Sequence, residues 1–319
     1  MQSEAVRHPW LWHGVYGLVL AALLGAIYLA SQRVDYSWRW ERVPQYVLSL
    51  EGEAIRAPFD GWVRVDPSTD LLVVEDRDSP DIREEYRKFE RLVAANGDLI
   101  FAGDVIAIEA GWKPGPLLVG LWITIKISVL AGLLALVIGL LAGLGRVASN
   151  PAARNLAAPY VEIIRGTPLL VQLFIFYFFV GTVLNLSAFV AGVCALAVFT
   201  GAYVAEIIRA GIEAVPKGQM EAARSLGMSY PQAMRHVVLP QAIRTSLPPL
   251  AGQFINLIKD SSLVSVIAIT DLSKAGREVV SSTFSPFEIW FTVALMYLVL
   301  TGSLSWWVRR LELRMAGHG

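Results

Sequence analysis

Residues 219–240, QMEAARSLGMSYPQAMRHVVLP, decide the architecture, because this charged stretch lies between segments apolar enough to sit in a membrane. Pro216 predicts the start of a short helix, since a proline in the first turn loses no helical hydrogen bond. Gly227 predicts the end of that helix. The helix carries one acidic and two small residues in a row, Glu221, Ala222 and Ala223.

A second helix is predicted directly after Gly227. Ser229 is a typical N-cap residue, and Pro231 falls in the first turn that follows it. Pro240 is predicted to stop this helix, because proline in a helix interior removes a hydrogen bond. The pattern therefore predicts two helical pieces hinged at a glycine.

Most of the remaining sequence is apolar. Hydrophobic residues make up 55% of the 319 residues, and the mean hydropathy is +0.52. Such values are typical of a polytopic membrane protein, because a helix needs about 20 apolar residues to cross a bilayer. We predict an all-α membrane fold with about six transmembrane helices. The predicted spans are His8–Ala30, Leu117–Leu141, Tyr160–Val183, Ser187–Ile208, Ala242–Ile269 and Phe287–Val308.

The spans divide the chain into parts. The first span is predicted to be a retained anchor, because no A-x-A-like cleavage site follows it. The predicted parts are a tail with the first helix at 1–30, a soluble insert at 31–116, a five-helix core at 117–310 with the hairpin at 216–240, and a tail at 311–319.

Basic residues outside the spans predict the orientation, because Lys and Arg are enriched in cytoplasmic loops. They all fall on one side if both termini and the hairpin are cytoplasmic. The residues concerned are Arg146, Arg154, Lys217, Arg224, Arg235, Arg309, Arg310 and Arg314. We therefore expect a multi-pass protein of the cell inner membrane, with residues 31–116 in the periplasm.

The insert at 31–116 differs from the rest in charge and pattern. It carries 17 acidic and 11 basic residues, whereas the rest of the chain carries 10 and 16. Residues 61–75 and 98–109 hold short β-branched runs typical of strands. Between them, residues 80–95 place several apolar side chains at helical spacing, namely Tyr86, Phe89, Leu92 and Val93. A small extracytoplasmic α+β domain is the prediction.

A Gly-Asp repetition occurs in the insert at residues 96–111, NGDLIFAGDVIAIEAG. It is similar to the half-barrels of biotinyl and lipoyl carrier domains, which modify a lysine in a hairpin. The insert contains only Lys88, on the predicted helix, and Lys113, in a Pro/Gly-rich linker. These positions argue against a carrier function.

The spacing within the hairpin identifies a family. Glu221-Ala222-Ala223 is followed by three residues, Gly227, nine residues, Val237, one residue and Leu239-Pro240. This pattern resembles the cytoplasmic coupling motif of permease subunits of bacterial ABC importers, with a valine at 237 where the family usually has isoleucine.

Three flanking stretches resemble the polar amino acid uptake branch of that family. They are RGTPLLVQL at 165–173, YVAEIIRAGI at 203–212 and KDSSL at 259–263. The resemblance covers residues 117–310 and implies a type I-like importer core that translocates polar amino acids.

The resemblance implies a transport subunit and not an enzyme. The sequence contains no GxxxxGK[ST] phosphate-binding loop, so ATP hydrolysis is expected on separate ATP-binding cassette ATPase subunits that contact the hairpin. The residues assigned to this coupling are Glu221, Ala222, Ala223, Arg224, Gly227, Leu239 and Pro240. The other expected partners are a second permease subunit, identical or similar, an external solute-binding protein, an amino acid and membrane lipid. No nucleic acid and no cofactor is expected.

Polar residues inside apolar spans are the candidates for substrate binding, because they are costly in a bilayer unless they face the bundle interior or water. The candidates are Thr167, Gln172, Glu206, Asp260 and Ser261. A zwitterionic ligand needs an acceptor for its ammonium group, for which Glu206 or Asp260 is suited. It also needs donors for its carboxylate, for which Thr167, Gln172 or Ser261 is suited. The family resemblance supports all of these positions except Glu206.

Structural roles for the same groups stay open. Glu206 with Arg209 is consistent with a helix-end ion pair, Arg165 with a lipid headgroup contact, and Lys259 with an ion pair to Asp260. No metal site is predicted, because the histidines lack partners at ligand spacing.

Two other classes of function also stay open. A membrane-anchored sensor or scaffold would use the external insert to bind a ligand, and it would lack a stoichiometric ATPase partner. A secondary transporter is disfavoured, because the six spans show no internal inverted repeat. The insert itself is expected to be a docking surface for the binding protein, a lid, or a spacer at the outer mouth.

Overall fold

The computed structural model describes residues 9–32, 36–66, 71–79, 81–87 and 89–316. The described residues before Glu41 form one compact unit, and those from Glu41 onward form a second. The first unit contains helix α1, Pro9–Gln32, at the predicted first span. This helix is apolar around its whole circumference, as a helix surrounded by lipid must be.

The second unit begins with a small β domain. Its strands pair antiparallel in two sheets, in the orders β1-β7-β5 and β4-β3-β2-β6. Alternate residues of both sheets are buried between them, among them Val63, Leu72 and Ile106. The elements are α2, Val43–Val47; β1, Leu48–Arg56; β2, Gly61–Asp66; β3, Leu71–Asp76; β4, Arg83–Tyr86; β5, Phe89–Leu92; β6, Leu99–Ile100; and β7, Val105–Pro114.

The helix predicted for residues 80–95 is wrong. The described part of this stretch forms β4 and β5, which lie in different sheets. Tyr86 and Phe89 both contact the core, but they reach it from opposite sheets. Their separation of three residues therefore resembles the spacing on one face of a helix. Pairing with β3 and β7 bonds the backbone groups that a helix would have bonded internally. The insert is therefore mainly β.

The strands predicted within 61–75 and 98–109 are present, and the Gly-Asp repetition forms the same turn twice. Gly97 and Gly103 have φ angles of +90° and +93°, in the left-handed region that favours glycine. The carboxylates of Asp98 and Asp104 each accept a bond from the backbone N–H three residues earlier, at 2.7 and 3.0 Å. Lys113 lies in strand β7, not in a linker.

The rest of the second unit is helical. Its α-helices are α3, Pro116–Val147; α4, Pro151–Arg165; α5, Leu169–Phe174; α6, Gly181–Val183; α7, Ala188–Glu213; α8, Lys217–Ser225; α9, Tyr230–Ala233; α10, Leu239–Asp260; α11, Leu272–Thr283; and α12, Pro286–Ala316. Ile175–Val180 and Met234–Val238 wind as π-helix, and Ser261–Ile267 winds as 3₁₀-helix. Within the described ranges, α3, α7 and α12 are long and apolar enough to cross a membrane, and the bent pair of α4 with Leu169–Val183 allows a fourth crossing.

The third predicted span, Tyr160–Val183, is not one straight helix. A bend of 107° separates α4 from the helical stretch that begins at Leu169, so Tyr160 belongs to α4. Pro168 is the N-cap of α5, and its missing N–H prevents α4 from continuing through it.

The fifth predicted span, Ala242–Ile269, also has different boundaries. Helix α10 begins earlier, at Leu239, and ends at Asp260. It is amphipathic, unlike α3 and α7. Helix α11 was not predicted, because its 12 residues are too few for a span.

Small residues allow α3 and α7 to pack closely. A Cβ atom added at Gly139 would lie 2.4 Å from Cγ1 of Val204, and one added at Gly143 would lie 2.8 Å from the carbonyl oxygen of Ala205. Helices in a membrane associate through such close backbone approach, because lipid leaves little hydrophobic drive between them. The two helices therefore form the centre of the helical part.

The β domain joins the helical part without a linker. Strand β7 ends at Pro114 and α3 begins at Pro116, so Gly115 alone connects them. The N–H of Gly115 donates to the carbonyl of Val47 at 2.9 Å, and a Cβ atom added at Gly115 would lie 2.3 Å from the carbonyl oxygen of Tyr46. The side chains of Tyr46 and Val47 also pack on a buried cluster from α3, α11 and α12. The domain is thereby fixed on the ends of these helices.

Candidate functional site

The charged stretch at 219–240 begins as the helical hairpin predicted from sequence. Helix α8 is followed by Gly227, whose φ angle of +87° lies in the left-handed region. The N–H of Gly227 donates to the carbonyl of Arg224 at 3.0 Å, and the N–H of Met228 donates to the carbonyl of Ala223 at 3.2 Å. These bonds form a Schellman motif, so Gly227 sets the angle between the two arms.

The second arm begins at the predicted cap. The N–H of Ser229 donates to Oε1 of Gln232 at 2.9 Å, and the side chains complete a capping box. Pro231 lies in the first turn, as predicted.

Pro240 does not stop the second arm, contrary to the prediction. Helical winding continues without a break from Tyr230 through the π segment to Asp260. The N–H of Leu239 donates to the carbonyl of Met234, five residues back. The wider π turn leaves room for a proline ring next to it, so the helix absorbs Pro240.

The two faces of α8 differ in exposure. Ala223 is buried with 4% of its surface exposed, and it faces the second arm. Glu221, Ala222 and Arg224 are exposed. Leu226, which was not singled out from sequence, is 83% exposed at the tip of the hairpin. A large apolar side chain held in solvent beside charged residues is typical of a surface that binds a partner.

The hairpin rests on apolar contacts with the end of α7. Ile212 and Val215 form a buried cluster with Val238, and Met220 and Met234 pack against it. A cavity of about 580 Å³ remains beside these residues. Because methionine side chains adapt to irregular gaps, these contacts tolerate a small shift of the hairpin.

The bend between α4 and α5 is the second candidate region, and residues 165–168 are exposed there. The hydroxyl of Thr167 donates to the carbonyl of Ile163 at 2.9 Å. Nε2 of Gln172 donates to the carbonyl of Ile164 at 2.8 Å and to the Thr167 hydroxyl at 2.7 Å. Gln172 is 3% exposed, and in the described part of the chain its Oε1 atom has no partner. The bend occupies the donors of both predicted residues and leaves one buried acceptor open.

Glu206 lies in an ion-pair cluster. Its carboxylate is 2.6 Å from Nη1 of Arg146 and 2.5 Å from Nη2 of Arg209, and Nη1 of Arg165 lies 3.6 Å away. Arg209 also pairs with Glu213. The helix-end pair of Glu206 with Arg209 is therefore present, as one of the alternatives predicted. The cluster ties α7 to the end of α3 and to the bend.

The KDSSL stretch is divided between two faces. Asp260 is half-buried and has no hydrogen bond or ion pair to any described residue. Ser261 is fully buried and donates to the carbonyl of Ile258 at 2.7 Å. Lys259 and Ser262 instead line a cavity of about 250 Å³. Asp260 is thus an unpaired acceptor at the end of α10.

Two of the three predicted ligand regions come together. Helix α5 contacts the 3₁₀ turn that follows Asp260, and Leu169 and Leu173 share a buried cluster there with Val264. The bend and the KDSSL stretch are therefore neighbours, whereas Glu206 is engaged in its own ion-pair cluster.

A polar network around Asp271 was missed from sequence. Asp271 is fully buried, accepts two backbone N–H bonds at 3.0 Å from the first turn of α11, and accepts from the Tyr297 hydroxyl at 3.2 Å. The N–H of Leu272 donates to the Thr124 hydroxyl of α3 at 3.1 Å. An aspartate directly before a helix is a typical N-cap residue, but Asp271 could not be recognised as one because helix α11 was not predicted.

Comparison with known proteins covers the region that holds the bend and the hairpin. Residues 135–317 match the family described as "Binding-protein-dependent transport system inner membrane component". The chain is 46% identical over 197 residues to the probable glutamine ABC transporter permease protein GlnM of Bacillus subtilis (strain 168), covering 61% of this chain and 91% of that protein. It is 42% identical over 211 residues to the glutamine transport system permease protein GlnP of Escherichia coli (strain K12), covering 65% and 96%. More than a third of this chain therefore lies outside each alignment.

Solved structures agree with this assignment. A crystal structure described as an amino acid ABC transporter with histidines matches with a TM-score of 0.59 and 43% identity, covering 62% of this chain and 94% of that chain. An inward-facing structure of the MetNI methionine ABC transporter matches with a TM-score of 0.56 at 21% identity, covering 62% and 95%, which is a likeness of fold alone. The chain belongs to the family of binding-protein-dependent transport system inner membrane components.

Proposed function

We propose that this chain is the permease subunit of an ATP-driven importer of polar amino acids, with glutamine as the first substrate to test. The names of the relatives support this substrate class. The proposed orientation has the hairpin at 216–240 and both termini in the cytoplasm and residues 31–116 in the periplasm. The basic residues of the hairpin support it, together with Arg146 in the last turn of α3 and Arg154 in the first turn of α4.

The observation that carries the proposal is the unbroken helical run from Tyr230 to Asp260. At 1.5 Å per residue it is about 46 Å long, enough to cross a bilayer. One end lies in the coupling hairpin, and the other ends beside Ser261 in the candidate ligand region. A displacement of the hairpin is therefore transmitted to the ligand region along one helical run, which can bend only at the π segment and at Pro248 and Pro249.

ATP-binding cassette ATPases are the proposed partners of the hairpin. Glu221 and Arg224 are exposed on α8 and suited to ion pairs across an interface. Leu226 is suited to fill an apolar groove on the ATPase. The flexible apolar support by Met220 and Met234 lets the hairpin follow the ATPase when it closes.

The proposed ligand contacts change when the hydrogen bonds are considered. Asp260 is the acceptor for the ligand ammonium group, because no residue in the described ranges pairs with its carboxylate, and Oε1 of Gln172 is a second acceptor. Thr167 and Ser261 donate to backbone carbonyls, so they reach a ligand carboxylate only if the bend and the turn rearrange. Glu206 is proposed to position the helices, since three arginines occupy its carboxylate.

The test is Asp260→Asn in the purified complex, reconstituted in proteoliposomes. We expect the concentration of glutamine for half-maximal uptake to rise about tenfold or more, because a hydrogen bond to a charged group contributes about 1.5–3 kcal/mol. Glu278→Gln likewise exchanges a carboxylate for an amide, at an exposed residue that forms an ion pair with Lys274 at 3.7 Å, and it should leave uptake unchanged.

Two results would contradict the proposal. Unchanged uptake by Asp260→Asn removes Asp260 from the ligand site. Purification of the wild-type subunit without any ATPase contradicts the importer function and favours the membrane-anchored sensor or scaffold.

A further inference from the structure

We infer that the end of the β domain farthest from the helices docks the external solute-binding protein, through an apolar patch formed by Trp62, Leu99 and Phe101. The inference rests on the proposed function, because only an importer uses such a partner. It adds a surface that lies in the insert, outside the permease helices.

The patch follows from strand register. Trp62 of β2 and Leu99 of β6 are direct neighbours in the antiparallel ladder, and Phe101 lies two residues beyond Leu99. Side chains two residues apart share a face of a sheet, and the intervening Ile100 is in the core. The three side chains are 47%, 40% and 54% exposed. Trp62 and Leu99 therefore form one apolar area on the solvent face of the four-stranded sheet, and the exposed Phe101 extends it directly after the end of β6.

Paired charges border this area on one side. Glu75 is the neighbour of Trp62 on β3, and it contacts Arg64 at 3.0 Å and Arg83 at 3.8 Å. Aromatic anchors surrounded by arginine-containing polar rims are typical of protein interfaces.

The position of the patch argues against lipid as its occupant. Strand β7 runs from Val105 to Pro114, next to the start of α3, and this is about 30 Å at about 3.3 Å per residue. Phe101 lies at the Val105 end, where its N–H donates to the carboxylate of Asp104 at 3.0 Å. The patch is thus at the far end of the strand from the membrane helices. A partner that reaches it comes from the aqueous phase.

The charge around the patch indicates which surface charge its partner carries. Asp60, Asp78 and Asp104 lie in the loops at this end, and Asp76 ends β3 beside them. Two basic residues accompany them: Arg77, and Arg56, which donates to the carbonyl of Gly103 at 2.8 Å. A second copy of this chain would bring an identical acidic rim against it, which is unfavourable. A solute-binding protein with an apolar patch bordered by basic residues is complementary to it.

The test uses the full transporter in nanodiscs. The probe is the solute-binding protein that stimulates ATP hydrolysis by the wild-type complex, loaded with glutamine. The variant Trp62→Thr with Leu99→Thr removes the two patch side chains that lie in strands and keeps residue types common in strands. We expect the half-saturating concentration of the binding protein to rise about tenfold or more at an unchanged maximal rate, because aromatic anchors dominate interface energies. Raising the ionic strength should weaken the wild-type interaction.

Trp112→Thr is the matched control. Trp112 is 68% exposed in the same domain, but it lies two residues before Pro114, at the end next to α3. Its half-saturating concentration should equal that of the wild type. An unchanged value in the double variant, or an equal rise in the control, would overturn the inference.

A cross-linking experiment decides between binding protein and second copy. A photoreactive maleimide is placed at Phe101→Cys in a Cys194→Ser background, which leaves one reactive cysteine. A product with the binding protein supports the inference, and a product between two permease subunits or no product overturns it. Failure of the proposed function is distinct, because then no binding protein stimulates even the wild-type complex.

Discussion

Gly227 is the position where one added side chain tests the proposed coupling role of the hairpin at 216–240. Its φ angle is +87°, and nothing lies within 4 Å of a Cβ atom added there. A substitution therefore strains the backbone without a steric clash. An L-residue in the left-handed conformation costs about 1–2 kcal/mol, which lowers the population of the native turn by a factor of about 5–30.

We expect Gly227→Val to assemble normally but to lose ATP-driven uptake by about tenfold, because the second arm then leaves α8 at a different angle. Gly227→Asn should retain most uptake, since asparagine tolerates the left-handed region. Gly218→Val is the control: the site is in the same hairpin, with open space around the added Cβ and no positive φ.

The assay measures glutamine uptake and ATP hydrolysis in the same proteoliposomes, normalised to the ATPase that co-purifies. The expected order of uptake is wild type, Gly227→Asn, then Gly227→Val. Wild-type uptake by an assembled Gly227→Val complex would refute the reasoning. An equal loss in Gly218→Val would show that any bulk in the hairpin is harmful, and it would refute the conformational argument.

Glu206→Gln should lower the free energy of unfolding of the solubilised complex by about 2–4 kcal/mol, because it leaves three arginines without their shared carboxylate in a partly exposed site. Thermal denaturation measures this loss. As a control, Glu213→Gln at an exposed residue should lower the free energy of unfolding by under about 1 kcal/mol. Gly139→Leu should abolish assembly, because even a Cβ atom there lies 2.4 Å from Val204. Gly302→Leu, with nothing within 4 Å of its Cβ, should elute from size exclusion like the wild type.

Much of the fold was predictable because it depends on neighbouring residues. The hairpin was recognised from a cap residue, two first-turn prolines and a glycine, all within one short stretch. The spans that became α3, α7 and α12 were recognised from length and hydropathy. The end of the second arm was predicted wrongly at Pro240, because the π turn that accommodates this proline depends on backbone geometry that no residue type indicates.

The insert was harder, because its strands depend on distant partners. Tyr86 and Phe89 sit three residues apart, as on a helix face, yet they belong to two sheets. Which strand each one joins is decided by β3 and β7, and periodicity carries no information on such pairing.

The candidate site shows the same limit. Polarity alone pointed to Glu206 and Gln172, and both are indeed part of polar clusters. Whether a polar group is open to a ligand depends on its partners, and Arg146, 60 residues from Glu206, was not predicted as one. Asp260 stands out because none of the residues that the structure describes bonds to its carboxylate, and only the folded chain reveals this.

The single residue between β7 and α3 makes the β domain move together with α3. Because Gly115 is enclosed by the backbone of Tyr46, the domain follows the axis of α3. A tilt of α3 by about 10° would sweep the far end of a 30 Å arm through about 5 Å. A spectroscopic label at that tip would therefore register each opening and closing of the membrane pathway from outside the bilayer, without a probe in the pathway itself.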